Sequence, residues 1–195
     1  MSRFQPELVL MASSTGGPLA LESIIPQLSG DFPAPIIIVQ HMLPLFIESL
    51  ANSLDHKSLL KVIVPDNLET VQAGTVYIAP GGKHIRLDSK KRINFDVSPP
   101  INGIRPAADI LFESVARSFT WRGVLVVILT GMGRDGTSGL AALKEKLDCF
   151  CIAQSEETCV VYGMPRAAVE SGHADKISDL GNISEEIERL FLQKG

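Results

Sequence analysis

The chain is poor in the residues that mark several classes of function. It holds one Trp and two Tyr among 195 residues, too few for the stacked aromatic platform that grips single-stranded nucleic acid. Excess positive charge is missing as well. Lys and Arg number 18 against 22 Asp and Glu, a formal net charge of −4, so no global field draws the chain to a phosphate backbone. The short run Lys90-Lys91-Arg92 reads as the solvated tip of a hairpin and not as a binding patch. Long apolar runs are also lacking: the longest uninterrupted stretch of Val, Ile and Leu is Val124 to Leu129, far short of the roughly 20 residues of a membrane helix. Met1 to Glu7 carries an Arg and a Pro where a signal peptide would carry an apolar core. Nucleic-acid partners and direct membrane insertion are therefore not expected. Cysteines are scarce, with Cys149, Cys151 and Cys159 the only three, and their odd number fits a reduced, cytoplasmic protein. On a strand Cys149 and Cys151 share a face, and with His173 they could be taken for metal ligands. No second pair has ligand spacing, so core thiols and no metal are the expectation.

What is present builds a core. Apolar residues make up 45% of the chain and charged residues 21%, the balance of one globular domain that needs neither disulfide nor metal. Glu7 to Ala12 reads as a strand, followed by the Gly-rich turn Ser13 to Gly17 and a helix from Pro18 to about Leu28. Pro35 to Gln40 is a β-branched run typical of a strand buried on both faces, and a helix from about Leu45 to Leu54 follows. Short strands are expected at Lys61 to Val64, Thr75 to Ala79, Ile85 to Leu87 and Ile93 to Val97, with the middle segment antiparallel across the turn Asp88 to Arg92. The apolar spacing predicts a helix over Arg105 to Phe119. After it come a strong strand at Gly123 to Thr130, a loop at Gly131 to Gly136, a helix from Ser138 to about Leu147 and a strand at Phe150 to Gln154. A helix at Pro165 to Ser171, a strand near Lys176 and a last helix from Ser184 to Gln193 complete the chain, with Glu185 and Glu186 in that helix's first turn and Lys194 at its end. The alternation predicts an α/β fold, a doubly wound and mostly parallel sheet with an antiparallel hairpin insertion.

In such sheets reactive groups collect beyond the carboxyl ends of the strands. Three strand ends carry polar groups there: Ser13 and Ser14, His41, and Asp135. A serine hydroxyl needs a base, and an imidazole needs a carboxylate to fix its tautomer; the chain offers one of each at the right edge. The order Ser, His, Asp differs from the common hydrolase orders, and no G-x-S-x-G elbow is present. A turn serine, a satisfied histidine and a solvated aspartate are an equally simple reading of the same residues. A competitor is Gly131-Met132-Gly133-Arg134-Asp135-Gly136, a literal G-x-G-x-x-G after a strand with Glu156 about twenty residues on. Asp135 and Gly136 resist helix, however, and only about sixty residues follow, too few for a second mononucleotide half. The Ser14 to Gly17 turn could itself hold an anion at its helix start.

Six motifs occur in fixed order: Ser14-Thr15-Gly16-Gly17, Gln40-His41-Met42, Tyr77-Ile78-Ala79-Pro80-Gly81, Arg105-Pro106, Leu129 to Gly133 with Asp135-Gly136, and Gly163-Met164-Pro165. Together they resemble the catalytic domain of CheB-type chemotaxis methylesterases, the protein-glutamate methylesterases and glutamine deamidases, from about Leu8 to Leu192. The resemblance implies Ser14 as nucleophile, His41 as general base and then acid, and Asp135 as the orienting carboxylate. It implies the Met132 backbone N–H near the oxyanion, Thr15 and Met132 lining the cleft, and no cofactor. The implied substrates are glutamate γ-methyl esters on methyl-accepting chemoreceptors, with deamidation of receptor glutamines by the same steps.

Enzymes of this type carry a phosphorylatable receiver domain ahead of the esterase, whereas here seven residues precede Leu8, where the resemblance begins. The expectation is thus one catalytic domain over 1–195, constitutively active or controlled by a separate response-regulator protein. Arg134 stands where the family often has Asn, and Gly82 where it often has Asp; an exposed loop charge is favoured for Arg134 over a substrate contact. The alternative outside enzymes is a module that binds receptors or nucleotides through Gly131 to Gly136 without turnover.

Overall fold

The computed structural model describes residues 4–192. Its centre is β1 (Leu8–Ser13), flanked by β2 (Ile36–Gln40) on one side and β7 (Gly123–Ile128) on the other. All three strands are apolar on both faces because each face is covered by helices, as parallel sheets require. Side chains alternate accordingly. Val9 and Met11 pack with α1 (Gly17–Ile24), α2 (Pro44–Lys57) and α6 (Leu180–Leu192), through residues such as Leu21, Leu54 and Ile187. Leu10 and Ala12 pack with α3 (Ala108–Ser118), α4 (Thr137–Lys146) and α5 (Met164–Glu170), through Phe112, Leu140 and Ala168.

The sheet is extended by β3 (Lys61–Ile63) and β4 (Thr75–Ile78) beyond β2, and by β8 (Asp148–Gln154) and β9 (Lys176–Ser178) beyond β7, giving seven strands in the order β3-β4-β2-β1-β7-β8-β9. Every pairing in it is parallel. Among the strands of the described residues, β5 (His84–Leu87) and β6 (Ile93–Asp96) alone pair antiparallel, as a separate hairpin. The insertion expected from the middle of the sequence is therefore confined to that hairpin, while β3 and β4 belong to the main sheet. The hairpin is tied to the start of α3 by His84, which is fully buried. Its Nδ1 accepts the Ala107 N–H at 3.1 Å, which leaves Nε2 to donate to the Pro99 carbonyl at 3.2 Å.

Other differences from the sequence reading have local causes. Helix α1 stops at Ile24 and tightens to a 3₁₀ turn at Ile25–Gln27, because Pro26 cannot donate into the helical ladder. Helix α3 starts after Pro106, at Ala108, since the residue before a proline is pushed out of the helical region. Helix α6 begins at Leu180, so Glu185 and Glu186 lie beyond its first turn. Glu186 instead accepts from the Ser178 hydroxyl at 2.9 Å and pairs with Lys176 at 2.8 Å; Gln193 and Lys194 lie outside the described residues. The basic hairpin tip is not simply solvated, because the Lys91 ammonium sits 4.1 Å from the Trp121 ring centroid. Arg92 pairs with Asp88 at 2.9 Å. All three cysteines are free. Burial pushes the Cys149 thiol up to about 12 and the Cys159 thiol up to about 11, so both stay protonated at neutral pH.

Because β1 is the central strand, a void beneath it has few neighbours able to collapse inward. Leu10, wholly buried, should cost about 2–5 kcal/mol of unfolding free energy when replaced by Ala, read as a lower urea midpoint with an unchanged slope.

Candidate active site

The register of the central strands sets the site. Ser13 is opposite Gln40 and Ala12 opposite Ile128, so one step beyond the strands Ser14 and His41 arrive side by side. The His41 N–H donates to the Ser13 carbonyl at 2.9 Å, and the Ser14 N–H to the Thr130 carbonyl at 3.0 Å. The Gln40 side-chain amide donates to the Ser14 carbonyl at 3.0 Å and to the His41 carbonyl at 2.9 Å, so those two oxygens lie no more than about 6 Å apart.

The adjacent serines have different fates. Ser13 is fully buried and its hydroxyl donates to Gln40 Oε1 at 2.6 Å, which removes it from the surface. Ser14 is half-buried, and its hydroxyl makes no hydrogen bond among the described residues.

His41 Nε2 lies 2.7 Å from Asp135 Oδ2, with the two side chains only 10% and 5% exposed. This contact joins residues 94 positions apart and occupies one ring nitrogen, leaving Nδ1 for proton exchange. Asp135 is held in turn by the first amides of α3: Oδ2 accepts from the Ala108 N–H at 2.6 Å and Oδ1 from the Asp109 N–H at 3.0 Å. Burial alone would raise the Asp135 pKa. The hydrogen bond from His41 and the two amides outweigh it and hold the carboxyl below its ordinary value.

Asp109 returns the arrangement, accepting the Gly139 N–H of α4 at 2.8 Å; burial, reinforced by the Asp135 charge, pushes its pKa up. The sequence reading passed over Asp109, although an acid in the first turn of a helix is a recognisable capping signal. These caps weigh against the nucleotide alternative. The amides at the α4 start already face a carboxylate, and a phosphate there would meet two negative side chains.

The loop after β7 is packed tightly onto Ser14. A Cβ at Gly131 would fall 2.8 Å from Ser14 Cβ and 2.5 Å from Met164 Sδ, so only glycine permits the approach. The Gly131 carbonyl accepts from the Gly163 N–H at 3.0 Å and the Met164 N–H at 2.8 Å. Thr130, itself buried, donates its hydroxyl to the Thr15 carbonyl at 2.9 Å and accepts the Val160 and Val161 amides at 3.1 and 3.0 Å. Thr15 and Met132 are both exposed at this edge, and their backbone amides make no hydrogen bond among the described residues. Exposed apolar side chains also follow the strand ends on this side: Leu19 after β1, Leu43, Leu45 and Phe46 after β2, and Val160 after β8. Arg134 is exposed and forms no ion pair among the described residues. A cavity of about 450 Å³ opens at the other end of the sheet, lined by Phe4, Pro35, Trp121 and Phe191 among others, and takes no part in this site.

Comparison with known proteins adds a family to this geometry. A family model described as CheB methylesterase matches residues 9–187. A protein-glutamate methylesterase/protein-glutamine glutaminase 1 from Syntrophomonas wolfei is 47% identical over 188 residues, covering 93% of this chain and 53% of that protein. A protein-glutamate methylesterase/protein-glutamine glutaminase from Geobacillus kaustophilus is 46% identical over 193 residues, covering 97% of this chain and 55% of its own length. The chain thus spans about half the length of the curated relatives it matches. The crystal structure of the Thermotoga maritima CheB methylesterase catalytic domain is similar with a TM-score of 0.89 at 42% identity, covering 97% of this chain and 100% of that one.

The depressed Asp135 pKa carries a stability consequence. A carboxyl whose folded value is lowered stabilises the fold above its unfolded value and loses that contribution as pH falls through the folded one. The gap in urea midpoint between wild type and Asp135→Asn should therefore be constant near neutrality. It should narrow as pH drops below about 3.8, the ordinary aspartate value.

Proposed function

The chain belongs to the CheB methylesterase family, and from that premise we propose that it hydrolyses glutamate γ-methyl esters on methyl-accepting chemoreceptors, releasing methanol, through Ser14, His41 and Asp135. The observation that carries this reading is the 2.7 Å bond between His41 and Asp135 at the strand edge where Ser14 emerges. In the proposed reaction Ser14 Oγ attacks the γ-carbonyl carbon while His41 Nδ1 takes the hydroxyl proton. Asp135 keeps Nε2 protonated and stabilises the imidazolium that forms. The tetrahedral oxyanion is received by the free amides of Thr15 and Met132, each worth roughly 3 kcal/mol of barrier. Collapse expels methanol, protonated by His41, and leaves an ester between Ser14 and the glutamyl group. Water, deprotonated by His41, then attacks that ester, and Ser14 leaves with its proton restored as the glutamate carboxylate is freed. With ammonia as leaving group the same steps deamidate glutamine.

The apolar rim supports a macromolecular substrate, since exposed apolar side chains in one place mark a surface that meets a partner. The site is also an open edge, suited to a side chain carried on another protein. We read residues 1–195 as one catalytic domain acting in the cytoplasm. Among the described residues no helix is long and apolar enough to cross a membrane.

Incubation with a methylated chemoreceptor and measurement of released methanol tests the reading. Ser14→Ala and His41→Ala should release none above the blank, and Asp135→Asn should be slower by up to about 10⁴-fold. Full activity in Ser14→Ala removes the nucleophile, and a wild type that releases no methanol removes the substrate.

A further inference from the structure

We propose that Gln40 is a positioning residue for this chemistry, its buried side-chain amide setting the separation of nucleophile and base by bonding to the backbone of both. The inference rests on the roles given above to Ser14 and His41. Gln40 ends β2 after an unbroken apolar run, Ile36 to Val39, and is 1% exposed. An aliphatic side chain would fill such a position without the cost of burying an amide.

The amide is fully used. Its oxygen accepts the Ser13 hydroxyl at 2.6 Å, and its nitrogen donates to the Ser14 carbonyl at 3.0 Å and the His41 carbonyl at 2.9 Å. Carbonyl oxygens only accept, so the nitrogen must be the atom that faces them, and the orientation of the group is settled by chemistry. One rigid planar group therefore spans the two residues between which a proton must pass.

Gly17 testifies to the tightness of this fit. A Cβ there would lie 2.0 Å from Gln40 Oε1, so the turn after Ser14 leaves its side chain out where the amide sits. Near-attack geometry tolerates little error, and a displacement of about 1 Å can cost on the order of 10²-fold in rate.

Two substitutions separate positioning from packing. Gln40→Glu keeps the shape but sets a carboxylate against two carbonyl oxygens, and Gln40→Met keeps the length without polar atoms. Each should lower kcat for methanol release about 10–100-fold with KM within about twofold. Ser13→Ala, which removes the partner of the amide oxygen, should give a smaller loss of the same kind, and Gly17→Ala should resemble Gln40→Met.

A second readout does not depend on the receptor: the rate at which a small fluorophosphonate labels Ser14, a reaction that needs the same Ser14–His41 geometry. Labelling should slow about as much as kcat in both Gln40 variants. Variants that melt earlier yet label and turn over like wild type overturn the proposal, as does a rise in KM at constant kcat. If wild type labels at Ser14 but releases no methanol, and the Gln40 variants label slowly, the substrate reading falls and the positioning role stands. Should Gln40→Glu fail to fold, Gln40→Met and Gly17→Ala decide the matter by the same two rates.

Discussion

Asp135 accepts hydrogen bonds from three groups in two distant parts of the chain: the His41 ring after β2, and the Ala108 and Asp109 amides that begin α3. The carboxylate thereby does two things that would otherwise need separate solutions. It neutralises the donor-rich start of a helix, where unpaired amides and the helix dipole favour an anion, and it fixes one nitrogen of the imidazole beside the serine. Burial opposes its charge, and the three donors overcome that opposition. Since α3 is packed against the sheet through Leu111, Phe112 and Val115, the orientation of the imidazole is inherited from the core.

Around this contact the strand ends are joined by side chains rather than left to loops. Gln40, Thr130 and Gln154 are all buried at the carboxyl edge, and each bonds to backbone of a neighbouring segment, Gln154 Oε1 taking the Thr130 N–H at 2.9 Å. Beyond the end of a parallel sheet the ladder no longer supplies partners for N–H and C=O groups. These polar side chains supply them instead and stiffen the segments that carry Ser14, His41 and Gly131. Glycines at 17 and 131 complete the arrangement by leaving room where two segments meet.

Much of this is legible in the sequence. The β-branched run before His41 and the apolar run before Thr130 announced buried parallel strands, and a buried strand must end where its polar groups begin. That rule alone brought Ser14, His41 and Asp135 to one edge, and the ordered motifs pointed to the family that the comparisons show. What sequence could not convey was contact between side chains. Whether Ser13 or Ser14 faces outward depends on how the last strand residue turns, and Ser13 is taken by Gln40. The exchange of caps between Asp135 and Asp109 needs two helices placed face to face, which periodicity does not encode. Glu185 and Glu186 stand past the first turn because the helix begins at Leu180, four residues before the Ser184 start that the sequence suggests.

His84 gives the peripheral hairpin a claim on the centre. Its ring fixes the peptide of Ala107, and the next amide along the chain is one of those that grip Asp135. The two-stranded insertion is thus a mechanical neighbour of the His41–Asp135 contact, separated from the imidazole by two peptide groups and a carboxylate. Grafting that insertion between relatives, or reshaping it by design, would act on the Asp135–His41 contact through the backbone of Ala107 and Ala108 alone.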